Sequence, residues 1–200
     1  MCKDKIYIYG GSGHGLVVAD IARACGYKRI IFLDDGDNEY LSFNKIKNNK
    51  NIPIALGIGE NKTREFLFKK VITHGFKVIT LIHPSAIVSS FVTIGIGSVI
   101  MPNVVVNSHS ILGKCVILNS SSIIEHENCI GDFTHISPAV ALSGKVTINS
   151  FTHIGIGSSI RQGITIGKNC IIGAGSVVVK NIMDNKICFG NPCKIIRNNI

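Results

Sequence analysis

The chain contains no tryptophan, and aromatic residues make up only 6% of its 200 residues. Charge is sparse too, at 16%, and acids are outnumbered, so the net charge is +9. The lysines are spread out and no basic stripe with interleaved aromatics forms, which argues against a nucleic-acid partner. A basic protein that handles small anions is the simpler reading. No run of about 18 apolar residues escapes interruption by polar residues or glycine, so no transmembrane span is expected. The opening stretch MCKDKIYIYGG is too polar, and its apolar part too short, for a signal peptide, which suggests a cytoplasmic protein. No CxxC pair occurs among the seven cysteines. Cys2, Cys25, Cys115, Cys129, Cys170, Cys188 and Cys193 therefore read as reduced, mostly buried thiols. Aliphatic residues are plentiful: the chain is 46% hydrophobic, enough for one ordinary core or two small ones.

The pattern divides the chain into residues 1–81 and 82–200. The first part alternates strand and helix, which implies a small parallel sheet. KIYIYG (5–10) is a short strand, GGSGHG (10–15) a tight loop, and LVVADIARACG (16–26) a helix stopped by Gly26. RIIFLDD (29–35) is a second strand ending in two acids, NIPIALGIG (51–59) a third, residues 60–76 a second helix and KVITLIH (77–83) a fourth strand. The polar segment 36–50 is expected to be a surface loop.

The second part repeats. Every sixth residue from Ile82 through Val88, Ile94 and Ile100 to Val178 is Ile, Leu or Val, seventeen positions without a gap. Glycine often follows (Gly95, Gly113, Gly131, Gly155, Gly167, Gly173), and a small or β-branched residue often stands four places after the aliphatic one. This is the pattern of a triangular prism. Each six-residue unit forms one side and the aliphatic residue points to the axis. The glycine is expected to relieve strain at the corner. Three sides make an 18-residue coil, so His126 and Gly144 occupy the same place on successive coils, about 4.8 Å apart.

These repeats resemble the hexapeptide-repeat acyltransferases, whose fold is a left-handed parallel β-helix. A front part with YGGSGHG and FLDD, joined to a prism carrying SSIIEHE, is similar over essentially the whole chain to the nucleotide-sugar acetyltransferases of bacterial glycan pathways. That group includes N-acetyltransferases of UDP-4-amino-sugars and proteins named as sialic acid O-acetyltransferases. The resemblance implies a half-Rossmann α/β domain on a β-helix, a homotrimer with sites between neighbours, acetyl-CoA as donor, and a UDP- or dTDP-linked amino-dideoxy sugar as acceptor.

It also implies roles for particular residues. Acetyl transfer from a thioester needs a base for the acceptor and a donor for the oxyanion. The resemblance makes His126 the base, Glu127 its orienting partner, Gly144 the amide donor, and Asn119 a neighbour of the reacting amine. It puts His135, Gly173, Pro192 and Lys194 beside acetyl-CoA, the last two in the tail FGNPCKIIR (189–197). A Gly-rich loop between strand and helix can cradle phosphates, so Gly11, Ser12, Gly13 and His14 are placed at a pyrophosphate and Asp34 and Asp35 at base or ribose. The spacing is GxxGxG rather than GxGxxG, and a packing role for the glycines is the competing reading. Arg64 closes ALGIGENKTR (55–64), similar to a further nucleotide loop. His74, His83 and His109 read as surface or packing residues and Glu125 as a solvated corner. His135 and His153, 18 apart, could form a purely structural ladder.

Three other functions compete. A sugar O-acetyltransferase would keep the donor and change the acceptor to a hydroxyl. A prism-based zinc hydratase, like the γ-class carbonic anhydrases, would need three histidines on one metal; here the histidines lack the required spacing and no metal is expected. A trimeric sugar sensor would bind without turnover.

Overall fold

The computed structural model describes residues 4–200; Cys2 lies outside the described residues. The front part is a three-stranded parallel sheet in the order β2-β1-β3, built from β1 (Lys5–Tyr9), β2 (Arg29–Leu33) and β3 (Ile54–Leu56). The helices are α1 (His14–Ala24) and α2 (Asn61–Thr73). The side chains of β1 alternate between two cores, as a strand's period of two dictates. Ile6 and Ile8 join Val18, Ile21 and Ala22 of α1, while Tyr7 and Tyr9 join Leu67 and Val71 of α2. Gly26, at φ 93, ends α1, with its amide and that of Tyr27 bonded back to Arg23 and Ala22. Glu60 caps α2, its carboxylate accepting the amides of Lys62 and Thr63.

Two expectations need correcting here. Segment 36–50 is more than a surface loop: it bridges to β2 at Leu41 and makes a 3₁₀ turn (Phe43–Ile46) whose Phe43 and Ile46 are buried. Residues 77–83 add no full fourth strand to the front sheet. Val78 makes only an isolated bridge to Ile54, and Leu81–Ile82 pairs with Val99–Ile100 as the first rung of the repeat.

From Leu81 the chain winds as a parallel β-helix of two-residue strands. The first wall runs from Leu81–Ile82 through Val99–Ile100, Ile117–Leu118, His135–Ile136 and His153–Ile154 to Ile171–Ile172, and continues into the tail hairpin Lys186–Phe189 and Lys194–Asn198. The second wall has six strands, from Ile87–Val88 to Val177–Val178, and the third has five, from Thr93–Ile94 to Thr165–Ile166. Within the repeat every pairing is offset by 18, as in Ile117 with Val99 and His135, whereas the tail strand joins Ile171 at Ile187, a step of 16. The repeat aliphatics from Ile100 to Val178 are at most 2% exposed, whereas Ile82 sits at the open end. In the second inward row Ser98, Val116, Thr134 and Ser158 are fully buried, and the hydroxyls of Ser98, Thr134 and Ser158 donate to carbonyls of neighbouring coils, while that of Ser122 has no partner among the described residues. Asn128 breaks the small-residue rule but fits. It donates to the Glu125 carbonyl and accepts the Val146 amide.

The glycines after the aliphatic residue do not serve as expected. None of the six has a positive φ. They are needed because coils approach closely: a Cβ at Gly95 would lie 2.3 Å from the Gly113 carbonyl oxygen, and one at Gly155 2.6 Å from the Ala174 amide. The left-handed residues stand two places further on. Gly97, Asn103, His109, Cys115 and their successors have φ between 52 and 78.

The outer face of the first wall carries the front domain. Leu81, Val99 and Ile117 are at most 2% exposed and share one core with β1 and α1. Each such side chain stabilises the junction by about 1.5–3 kcal/mol. The six described cysteines form no disulfide with one another; Cys115, Cys170 and Cys188 are buried, and Cys129 is exposed.

Candidate active site

The expected residues fall into two groups on different corners of the prism. The first lies between the second and third walls. His126 follows strand Ile123–Ile124 and precedes Cys129–Ile130. Its Nδ1 is 3.0 Å from Oε2 of Glu127. The carboxylate is acceptor-only, so Nδ1 carries the proton and the Nε2 lone pair is left free. The ring rests on Gly144, where a Cβ would lie 2.5 Å from Cε1 and 2.6 Å from Nε2. The Gly144 amide has no partner among the described residues, whereas that of Lys145 bonds the His126 carbonyl at 3.0 Å. The hydrogen bond from His126, helped by Lys145 and His109, holds the Glu127 carboxyl below its usual range. The corner thus offers a lone pair and an amide donor on adjacent coils.

The second group lies where the front domain meets the first wall. Gly10 and Gly15 are packing residues: a Cβ on Gly15 would fall 1.9 Å from the Gly10 carbonyl oxygen, and one on Gly10 2.7 Å from that of Gly57. Gly13 is different. It stands in open space at φ 34 as N-cap of α1, which no side chain caps. The amides of Ser12, Gly13 and His14 have no acceptor among the described residues. Both readings of the loop therefore apply, to different glycines. Asp34 closes the loop, its Oδ2 accepting the Gly11 amide and its Oδ1 that of Gly36. These bonds, Gly11's first, keep its carboxyl low. Asp35 is committed internally: it accepts the Tyr9 hydroxyl, the Lys70 ammonium at 2.6 Å and the Phe43 amide. Burial raises its pKa, but Lys70, Tyr9 and Phe43 outweigh that and leave it lowered.

His14 reaches from α1 toward the prism. Its Nε2 is buried and unpartnered among the described residues. Its ring centroid is 6.0 Å from that of His135, which stacks on His153 at 4.7 Å. The Asn119 amide donates to His135 Nε2 at 3.2 Å, so Nδ1 carries the proton and faces the Gly59 carbonyl at 3.3 Å. Burial, with Arg64 nearby, lowers His14 to about 4. Burial and the neighbouring His153 lower His135 to about 3. Both rings are neutral at neutral pH. The ladder expected of His135 and His153 is present, and it extends into the front domain.

Arg64 departs from expectation. It is 1% exposed. Its Nε donates to the Cys115 carbonyl, Nη1 to Ile58 and Gly59, and Nη2 to Asn61 and to Phe133. Asn61 donates in turn to the Phe151 carbonyl. The guanidinium, lowered to about 10 by burial, clamps α2 to successive coils and has no donor left for a nucleotide. Gly173, Pro192 and Lys194 lie at the tail end of the first wall; a Cβ on Gly173 would meet Phe189 at 2.7 Å, and Lys194 is exposed. His126 stands on another corner from His135 and His153, and no group of three or more His, Cys, Asp or Glu among the described residues is placed to hold a metal ion. Two neighbours escaped the sequence reading. Lys145 stands one coil from Glu127, and the step of 18 that linked His126 to Gly144 would have found it. Tyr40 lies against Gly11, where a Cβ would meet its ring at 2.2 Å.

A parallel β-helix of six-residue units with a histidine–glutamate pair on a corner, joined to a small α/β front domain with a glycine-rich loop, is the architecture of a hexapeptide acyltransferase. Comparison with known proteins agrees. Residues 5–71 match the PglD N-terminal domain family and residues 145–180 the bacterial transferase hexapeptide family. PerB from Caulobacter crescentus, solved with CoA and GDP-perosamine, is 33% identical, with a TM-score of 0.91 over 96% of this chain and 97% of that one. The acetyltransferase domain of PglB from Neisseria gonorrhoeae is 37% identical, with a TM-score of 0.89 over 96% and 99%. WeeI from Acinetobacter baumannii is 26% identical, with a TM-score of 0.91 over 96% and 100%. The chain belongs to this family of hexapeptide-repeat nucleotide-sugar acetyltransferases.

Proposed function

We propose that the protein moves the acetyl group of acetyl-CoA to the amine of a nucleotide-linked amino-dideoxy sugar, with His126 as general base. The observation that carries this reading is the His126 ring, tied through Nδ1 to Glu127 and resting on Gly144. The amine nitrogen attacks the thioester carbon while Nε2 takes its proton. The Gly144 amide holds the oxyanion. The C–S bond then breaks, and the imidazolium returns the proton to the leaving thiolate. The nucleotide is held at the other corner, with its pyrophosphate on the amides of Ser12, Gly13 and His14 and its base or ribose near Asp34. Asp35 supports that loop from behind. Asn119 and Gly173 stand in one column three coils apart, roughly 14 Å along the prism edge. That edge, with His135 below and Pro192 and Lys194 at its tail end, offers a track for the extended coenzyme. Because the two groups occupy different corners of one chain, a complete site forms between neighbouring copies in a homotrimer.

The amine reading rests on relatives described as N-acetyltransferases, such as the perosamine enzyme of Caulobacter crescentus. That relative binds a GDP sugar, so guanine joins uracil and thymine as a candidate base. The test is incubation with acetyl-CoA and a panel of UDP-, dTDP- and GDP-linked 4-amino sugars, reading thiol release and product mass. The expected result is an N-acetylated nucleotide sugar. Thiol release with free sialic acid and none with any amine would replace this reading by O-acetylation. Tight sugar binding without release would make the protein a sensor.

A further inference from the structure

The corner column that carries Glu127 has an order of charge that the acetyl-transfer chemistry above does not use. Stepping by 18 gives Phe91, His109, Glu127 and Lys145. The Lys145 ammonium is 3.7 Å from Oε1 of Glu127, while Oε2 faces His126. His109 stands one coil below, its ring against Phe91 at 5.3 Å. Glu127 is thus bracketed by a base on each side, and its two oxygens are divided between the ring and the lysine.

This pair is not there for stability. Both side chains are about half exposed, at 59% and 47%, and ion pairs of that kind contribute little to folding. Lys145 also holds a left-handed backbone, φ 58, which an L side chain adopts only with strain. Its consequence is electrostatic. A carboxylate alone beside an imidazole favours the protonated ring, which cannot act as a base. A cation on the far oxygen opposes this.

Resting on the acetyltransferase reading above, we propose that Lys145 is a positioning residue acting through Glu127, its charge on the far oxygen offsetting the carboxylate's pull on the His126 ring. The other charged groups facing this corner are His109 below, Glu125 on the same segment, and Arg161 two coils above Glu125.

The test is the pH profile of kcat for Lys145→Asn, Lys145→Arg and Glu127→Gln, beside an NMR titration of the His126 ring, whose signal is identified by its loss in His126→Ala. Asparagine removes the charge and suits the left-handed turn, so the fold is kept. With Lys145→Asn the acid limb and the ring titration should both move up by about half a pH unit, the effect of one solvent-exposed unit charge. This lowers kcat about threefold at the acid end and less as pH rises. Lys145→Arg should leave both in place, and Glu127→Gln should move both down. A limb and a titration that stay put, or move down, in Lys145→Asn overturn the proposal, as does an arginine variant that behaves like the asparagine one. The titration requires no turnover. If no acceptor is acetylated, the acetyltransferase reading fails while the role of Lys145 is still decided.

Discussion

At the scale of single residues, His126 and Arg64 have opposite characters. His126 is half exposed and free to meet a ligand. His126→Ala should lower kcat by about 10²–10⁴-fold with small changes in either KM, because the ring works mainly in the transition state. Glu127→Gln should cost less. Steady-state kinetics decide this: if His126→Ala retains more than about a third of kcat, proton removal belongs elsewhere. Arg64 is the reverse, a buried cation solvated by chain carbonyls. Arg64→Met leaves the carbonyls of Cys115, Ile58 and Phe133 without their donor and should destabilise the protein by about 2–4 kcal/mol in denaturant melts. The KM for the nucleotide sugar should hold at permissive temperature. A change in KM without loss of stability would restore Arg64 to the binding site. His126 was legible because its motif and the 18-residue step agree. Arg64 was not: the carbonyls that claim it lie 51 and 69 residues away in sequence, where no local pattern points.

At the scale of elements, the repeat was readable because a period of six is forced on every coil by one narrow interior. The reason for its glycines was not readable, since φ and coil-to-coil clearance leave the same letter in the sequence. The parallel strands of the front sheet were legible as segments, though not their order across the sheet, and not where residues 77–83 pass from one sheet to the other. The histidine column shows what elements do together. His14 sits on α1 and His135 and His153 on successive rungs, so protonating them charges the seam between domains. His14 and His135 have folded values of about 4 and 3, both below the ordinary histidine value. Unfolding therefore takes up protons as pH falls below about 6.5. Their contribution is complete above that pH and is lost progressively down to about 4 for His14 and 3 for His135, on the order of a few kcal/mol together. Thermal melts should show Tm falling from pH 6.5 to 4, and His135→Asn should flatten the slope. An unchanged slope in that variant would mean that other groups carry it.

At the scale of the whole molecule, the separation of the two site groups governs behaviour. If a site draws its base from one copy and its nucleotide loop from another, two inactive variants can repair each other. Mixing His126→Ala with Asp34→Ala under conditions that exchange subunits should restore a fraction of wild-type activity in assemblies where one copy's intact corner meets another's intact loop. Sedimentation should give a trimer. No recovery from an exchanged, trimeric mixture would place each site within one chain. The left-handed corner positions have a further consequence, for breeding heat tolerance into this scaffold. Eight of them are held by residues other than glycine or asparagine, each a place where glycine would relax the chain by up to about 1 kcal/mol. Cys115, Phe133 and Phe151 cannot be exchanged without loosening the front domain, which packs on their side chains and hangs from their carbonyls. His109, Glu127 and Lys145 belong to the charged column. Ser121 and Ala139 carry neither duty, so an engineer seeking a hardier catalyst would begin with those two, and a lineage adapting to heat would find its freedom at the same corners.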